Sequence, residues 1–187
     1  MSILTQSTTL IRSACRRLLP QDCVLCGAGS GSSLLCSDCE QDLPRLATAR
    51  CPRCALPTPR GEVCGRCLAK PPHYDAATAV YHYAFPVDRL LQAFKYGHRL
   101  VLGKWFGEKM AALIDDHGHD LDLIVPMPLH PQRLRERGFN QALELARPVS
   151  RHTGIPLAAA SCRRVRPTRA QADLPWRERA GNVRAAF

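Results

Sequence analysis

The chain has 187 residues, enough for one small module and one domain of ordinary size. No apolar run approaches the roughly 20 residues needed to cross a bilayer, which excludes a membrane-spanning helix. The formal charge is +10, from 26 Lys and Arg against 16 Asp and Glu, so polyanions such as nucleic acid or a small polyphosphate are the natural partners.

Residues 1–22 contain an arginine-bearing, acid-poor stretch (Ile11, Arg12, Arg16, Arg17, Leu18, Leu19). It lacks the continuous apolar core of a secretory signal, and a short amphipathic helix is expected there in preference to a transit peptide. A cytoplasmic location follows as the expectation.

Residues 23–70 carry four cysteine pairs: Cys23/Cys26, Cys36/Cys39, Cys51/Cys54 and Cys64/Cys67. They spell C-x2-C-x9-C-x2-C twice. Two cysteines separated by two residues can turn both sulfurs to one ion, and two such pairs complete the tetrahedral thiolate shell that zinc prefers. Two structural zinc ions are therefore expected. A disulfide framework is the competing reading, disfavoured because no signal peptide precedes the pairs. The equal internal gaps favour consecutive pairing over interleaved pairing. Gly27, Gly29 and Gly31, then Pro57, Pro59, Gly61 and Gly65, supply turns, and neither half has apolar side chains enough for a core of its own. Eight thiolates remove eight charges and two zinc ions return four, which leaves +6. Cys15 and Cys162 fall outside the repeat and are expected to be small apolar core residues. His73, His82 and His98 are read as surface or structural histidines, since eight cysteines already suffice.

Lys70-Pro71-Pro72 reads as a linker, placing a second domain at 71–187. Residues 74–85, rich in β-branched and aromatic side chains, predict a strand or hairpin. Val87, Leu90, Leu91 and Phe94 fall at helical spacing up to Gly97, and Leu102, Trp105, Phe106, Met110, Leu113 and Ile114 mark a further helix. Asp122 to Val125, stopped by Pro126-Met127-Pro128, suits a buried strand. Gln132 to about Arg147 predicts a helix and Leu157 to Cys162 another strand, which together make a β-α-β unit of a parallel α/β sheet. Ligands bind outside the carboxyl ends of such strands, so the loop from Pro126 to His130 is where a site is expected.

On that helix Arg133, Arg137, Asn140 and Gln141 stand at i, i+4, i+7 and i+8, either a polar binding stripe or an ordinary solvated face. From His130 onward there are twelve Arg against four acids, and no Lys follows Lys109. Arginine's planar fork suits phosphate oxygens. Arg163 to Gln171 has no periodicity and is expected to be an exposed loop, mobile until a ligand orders it.

These residues resemble the ComF family of competence proteins, ComFC- and GntX-like members included. The resemblance lies in the paired cysteine motifs, Phe94-Lys95-Tyr96-Gly97, Ile124-Val125-Pro126-Met127-Pro128-Leu129-His130 and Arg137-Gly138-Phe139-Asn140-Gln141. The spacing of Arg164, Thr168, Gln171, Leu174, Arg179, Asn182 and Phe187 adds to it. It implies a double zinc ribbon joined to a type I phosphoribosyltransferase-like domain, of glycosyltransferase class, with a role in DNA uptake during natural transformation. It further implies that phosphoribosyl diphosphate with magnesium meets Pro128 and His130, that Arg133, Arg137, Asn140 and Gln141 contribute to its binding, and that Arg164, Thr168, Gln171, Arg179 and Asn182 belong to a flexible loop closing over it.

Such domains also hold the ribose phosphate with two acidic residues and a Thr-Thr-Gly-Ala-Thr-like turn at a helix amino terminus. No such sequence occurs here, and Asp115-Asp116 is followed by His117-Gly118-His119 instead. The expectation is of a carboxy-terminally truncated chain with an incomplete sheet, an open strand edge and no catalytic competence. The alternative functions are a zinc-dependent single-stranded DNA-binding protein and a scaffold for DNA-uptake proteins. Only Phe139, Trp176 and Phe187 stand among the arginines for base stacking.

Overall fold

The computed structural model describes residues 21–117 and 121–187, and the side chains of 115–117 are left aside. The expected amino-terminal helix and Cys15 lie outside the described residues, except that Gln21–Asp22 form a strand, and of the Asp115-Asp116 pair only the helical backbone is described. The chain divides into two compact units, residues 1–91 and 92–187. Among the described residues no helix is long and apolar enough to cross a membrane.

The first unit holds β1 (Gln21–Asp22) paired antiparallel with β2 (Gly29–Gly31), and two one-turn helices, α1 (Ser37–Gln41) and α2 (Gly65–Ala69). Among its described residues the buried side chains are Cys23, Leu35, Leu43, Cys51, Cys67, Val87 and Leu90, three of them metal-type ligands. The strand expected over 74–85 does not form. Only one antiparallel bridge, Arg45 to Tyr81, with the His82 N–H donating to Pro44 O at 2.8 Å, survives of it. Tyr74, Tyr83 and Phe85 are exposed. β-propensity expresses side-chain packing against neighbouring strands, and these aromatics have no such neighbour.

Helix α3 (Val87–Tyr96) and helix α4 (Leu100–His117) lie where the apolar spacing predicts. Val87, Leu90, Phe94, Leu102, Trp105 and Phe106 are buried, whereas Met110 is exposed. In the second unit α6 (Gln141–Thr153) packs on α4. Two glycines one turn apart on α4 permit the approach. A β-carbon at Gly107 would lie 2.7 Å from Leu145 O of α6, and one at Gly103 would lie 3.3 Å from Glu144 Cβ of α6 and 2.8 Å from the Phe94 ring of α3. Ala146, Pro148 and Val149 of α6 are buried, and Phe94 meets Phe139 with ring centroids 5.6 Å apart.

The helix expected from Gln132 to Arg147 is two helices. Helix α5 (Pro131–Arg137) ends at Gly138, whose φ of 80° is left-handed and whose N–H donates to Leu134 O at 2.8 Å. Helix α6 then restarts behind Asn140, whose side chain accepts from the Ala142 N–H. The parallel sheet is likewise reduced, among the described residues, to one parallel bridge between Ile124 and Leu157. Ile124 N–H donates to Pro156 O and Ala158 N–H to Ile124 O, both at 2.9 Å. Pro126, Pro128 and Pro156 flank the bridge and have no N–H with which to extend it. Leu121, Leu123 and Val125 are exposed, so this segment is not the buried strand its composition predicts.

The last 25 residues hold a 3-10 turn at Gln171–Asp173 and helix α7 (Trp176–Asn182). They are tied together from within: Val165 N–H donates to Ala186 O at 2.8 Å, and Arg166 to Arg184 O at 2.8 Å.

Candidate functional site

The two cysteine motifs fold alike, bond for bond. In the first, Cys23 N–H donates to Ala28 O (2.7 Å) and Gly27 N–H to Cys23 O (2.9 Å). In the second, Cys51 N–H donates to Leu56 O (2.8 Å) and Ala55 N–H to Cys51 O (2.9 Å). Each turn needs a left-handed residue after its second cysteine, and Gly27 (φ 75°) and Ala55 (φ 60°) occupy that place. The other two cysteines of each set sit at a helix start, Cys36 capping α1 and Cys64 capping α2. The N–H groups of Glu40 and Leu68 return to their carbonyls at 3.0 Å.

The result is two groups, Cys23/Cys26/Cys36/Cys39 and Cys51/Cys54/Cys64/Cys67, each with its four sulfurs within 4.8 Å of one another. Consecutive pairs combine, as the equal gaps predict. Cys26 Sγ lies 3.7 Å from Cys36 Sγ, and Cys54 Sγ 3.6 Å from Cys64 Sγ. Four sulfurs about 2.3 Å from a tetrahedral zinc stand about 3.8 Å apart, so these edges fit that ion and are far too long for a disulfide.

The electrostatics also call for a dication. Burial pushes the Cys23 thiol up, but backbone N–H groups of Cys26, Cys36 and Leu25 outweigh it and bring it down to about 6. Burial acts on Cys51 in the same way, against N–H groups of Cys64, Cys54 and Arg53, with the same outcome of about 6. Cys64 N–H stands 3.3 Å from Cys51 Sγ. The last cysteine of each set resists ionisation: Cys26 and Cys36 push the Cys39 thiol well up, while burial, with Cys54 and Cys64 beside it, pushes Cys67 up to about 12. Four thiolates coexist only around positive charge. Cys162 is half-buried and belongs to neither group.

The second unit carries a cleft of about 600 Å³. One wall comes from Lys95 and Tyr96 at the end of α3, another from Leu129, His130 and α5, and a third from residues 164–173. Five cationic side chains line it, Lys95, Arg133, Arg137, Arg164 and Arg169, against two carboxylates, Glu136 and Asp173.

Each candidate residue has a definite setting. His130 is the N-cap of α5, its Nδ1 accepting from Gln132 N–H at 3.3 Å, so the neutral ring carries its proton on Nε2. Arg133 Nη1 donates to Glu136 Oε2 at 2.7 Å and holds the Glu136 carboxyl below the ordinary carboxylate range. Arg137 lies over the Tyr96 ring, 5.2 Å from its centroid. Arg164 donates to Thr168 Oγ1 and stacks on Phe187 at 5.5 Å, with its Nε buried and unpartnered.

His130, Arg133, Arg137, Arg164, Thr168 and Gln171 thus share one cleft. Pro128, Asn140, Gln141, Arg179 and Asn182 are not among its lining residues. The single stripe expected of Arg133, Arg137, Asn140 and Gln141 is broken by Gly138. Asn140 instead ties the preceding loop to α6 by donating to Met127 O at 3.1 Å, and Gln141 Nε2 is buried without a partner. Arg179 donates to Leu174 O, Gln171 to Arg179 O, and Asn182 to Arg169 O and Gln171 Oε1, bonds that shape the 164–182 segment from inside. Glu136 and Asp173 lie outside the motifs read from the sequence, and Lys95, Tyr96 and Arg169 lie within those motifs but carried no assigned role. The i,i+3 spacing of Arg133 and Glu136 was a readable sign of their pairing.

Paired cysteine knuckles on this double repeat define a zinc ribbon protein, and a family described as "Double zinc ribbon domain" matches residues 14–68. The chain is 32% identical over 159 residues to the "DNA utilization protein YhgH" of Salmonella typhimurium, covering 82% of this chain and 70% of the relative. The protein of that name from Escherichia coli K12 matches to the same extent. "Competence protein F" of Haemophilus influenzae is 30% identical over 159 residues, covering 82% of this chain and 69% of the relative. The chain belongs to the ComF family. No solved structure matches it.

Proposed function

We infer that the second unit binds a phosphoribosyl diphosphate-type anion in the cleft between α5 and residues 164–173. The protein would use this site in handling DNA taken up by the cell, in the cytoplasm. The carrying observation is the convergence of His130, Arg133 and Arg137 with Arg164, Thr168 and Gln171, from two stretches of chain, on a cleft with five cationic side chains. The names of the relatives, a DNA utilization protein and a competence protein, support the DNA-uptake role.

In this reading Arg137, braced on Tyr96, and Arg133, one turn before it, neutralise adjacent phosphates, and Thr168 and Gln171 add neutral hydrogen-bonding groups. Magnesium would enter this site as the counter-ion of the ligand's own phosphates. Calorimetric titration of phosphoribosyl diphosphate with magnesium into the full chain tests this. Arg137→Ala should weaken binding by about tenfold or more, since a charge-assisted hydrogen bond is worth about 1.5–3 kcal/mol. The loss should be larger at low salt. Equal binding by Arg133→Ala/Arg137→Ala at both ionic strengths would return α5 to a solvated face.

Single-stranded DNA is the second reading. Trp176, 75% exposed, has Arg179 over its ring at 5.9 Å, and Phe187, 48% exposed, is stacked by Arg164. Such aromatic and guanidinium pairs suit base stacking. Oligonucleotide binding with a steep salt slope, weakened by Trp176→Ala but not by Arg137→Ala, would favour it.

A further inference from the structure

Glu136 stands among the cations of the cleft as their immediate neighbour. Its Oε2 accepts from Arg133 Nη1 at 2.7 Å, and its Oε1 accepts from Gln132 Nε2 at 3.4 Å. Arg133 therefore spends part of its donor fork on its own helix. Arg137, one turn further along, makes no ion pair among the described residues and rests on Tyr96. Carboxylate and phosphate oxygens fit the same guanidinium fork, so the two compete for it.

Resting on the reading of the cleft as a diphosphate site, we propose that Glu136 is an internal competitor of the ligand. It occupies one guanidinium nitrogen of Arg133 that a phosphate would otherwise take, and the diphosphate binds as Arg133 exchanges Glu136 for phosphate. The side chains of Arg133 and Glu136 are 44% and 47% exposed, and the pair is joined through one guanidinium nitrogen. A pair so open to solvent is weak, so a ligand with several charges displaces it. Its openness also argues against a positioning role, which would need the guanidinium fixed by packing. Glu136 thus holds part of the Arg133 fork, and a phosphate takes its place.

The test is a double-mutant cycle with inorganic diphosphate as the probe. It is titrated at one low ionic strength into the full chain, Glu136→Gln, Arg133→Ala and the double variant. Glu136→Gln should tighten binding by about two- to fivefold, the range corresponding to release of an exposed ion pair. Arg133→Ala should weaken binding, and the gain from Glu136→Gln should vanish in the Arg133→Ala background, where no fork remains to be freed. A gain that persists in the double variant would mean that Glu136 acts only through its charge on the cleft, and would overturn the proposal. Unchanged or weaker binding by Glu136→Gln would do the same. Loss of the cleft reading itself looks different: neither the full chain nor Glu136→Gln would take up diphosphate, and both ideas would fall together.

Discussion

Gly107→Ala probes the contact that seats α6 on α4. A β-carbon at this position would lie 2.7 Å from Leu145 O and 2.8 and 2.9 Å from the Pro148 ring. In an open helix the substitution gains about 0.5–1 kcal/mol, because alanine loses less conformational freedom than glycine on folding. Here the obstacles are a backbone carbonyl and a proline ring, neither of which can swing aside, and overpacking of this kind costs about 1–3 kcal/mol. The clash exceeds the gain, leaving a net loss of up to about 2.5 kcal/mol. Gly181 in α7 has nothing within 4 Å, so Gly181→Ala is the control and should gain up to about 1 kcal/mol. Guanidinium unfolding is followed by the fluorescence of Trp105, which is buried in α4. A probe inside the second unit is needed because a chain of two units need not unfold in one step. A midpoint for Gly107→Ala equal to or above that of the parent would refute the close approach of the two helices.

Purified protein should carry two zinc ions per chain by elemental analysis, and a chelator should unfold the first unit, where Cys23, Cys51 and Cys67 are buried and folding is coupled to metal binding. In the folded unit backbone N–H groups hold Cys23 and Cys51 down to about 6 from the ordinary 9.0. Their ionised forms therefore stabilise it fully above pH 9 and cease to do so as pH falls through about 6. Protons and zinc compete for the same sulfurs, so zinc should be retained at pH 7 to 8 and released on acidification only below the range in which the metal-free thiols would protonate, read with a chromogenic chelator. Ala55→Gly should stabilise the second knuckle by up to about 1 kcal/mol, relief of the left-handed strain at φ 60° outweighing the added freedom of the unfolded chain. Its readout is slower zinc loss to a chelator. Asn140→Ala removes both the cap on Ala142 and the tie to Met127, and should cost about 1–2 kcal/mol in the Trp105-detected transition.

The metal centres were legible in full because their chemistry fixes their sequence: ligand type, spacing and repeat all point to the same two groups. Helices α3 and α4 were legible because the apolar positions repeat at helical spacing, and Val87, Leu90, Phe94 and Leu102 are buried as that spacing requires. The cleft was legible by residue type but not by arrangement. Reading one helix through Gly138 put Asn140 and Gln141 on the face of Arg133 and Arg137, although a glycine followed two residues later by asparagine is a stop and a restart. The strands failed for a different reason. A strand exists only with a neighbour, and β-rich composition at 74–85 or 121–125 carries no information about whether one is present. Arg164 to Asn182 lacks periodicity because its order comes from side-chain bonds to backbone carbonyls, as from Arg179 to Leu174 and Asn182 to Arg169.

Hydrogen–deuterium exchange of the zinc-loaded chain, with and without phosphoribosyl diphosphate and magnesium, locates the anion site directly. Ligand should slow exchange in peptides spanning 130–137 and 164–173, the two stretches that form most of the cleft, and leave 144–151 unchanged, where Arg147 and Arg151 line a separate groove. Peptides at 23–39 and 51–67 should also be unaffected. No change at 130–137 and 164–173, or slowing confined to the cysteine motifs or to 144–151, would contradict the assignment of the cleft as the ligand site.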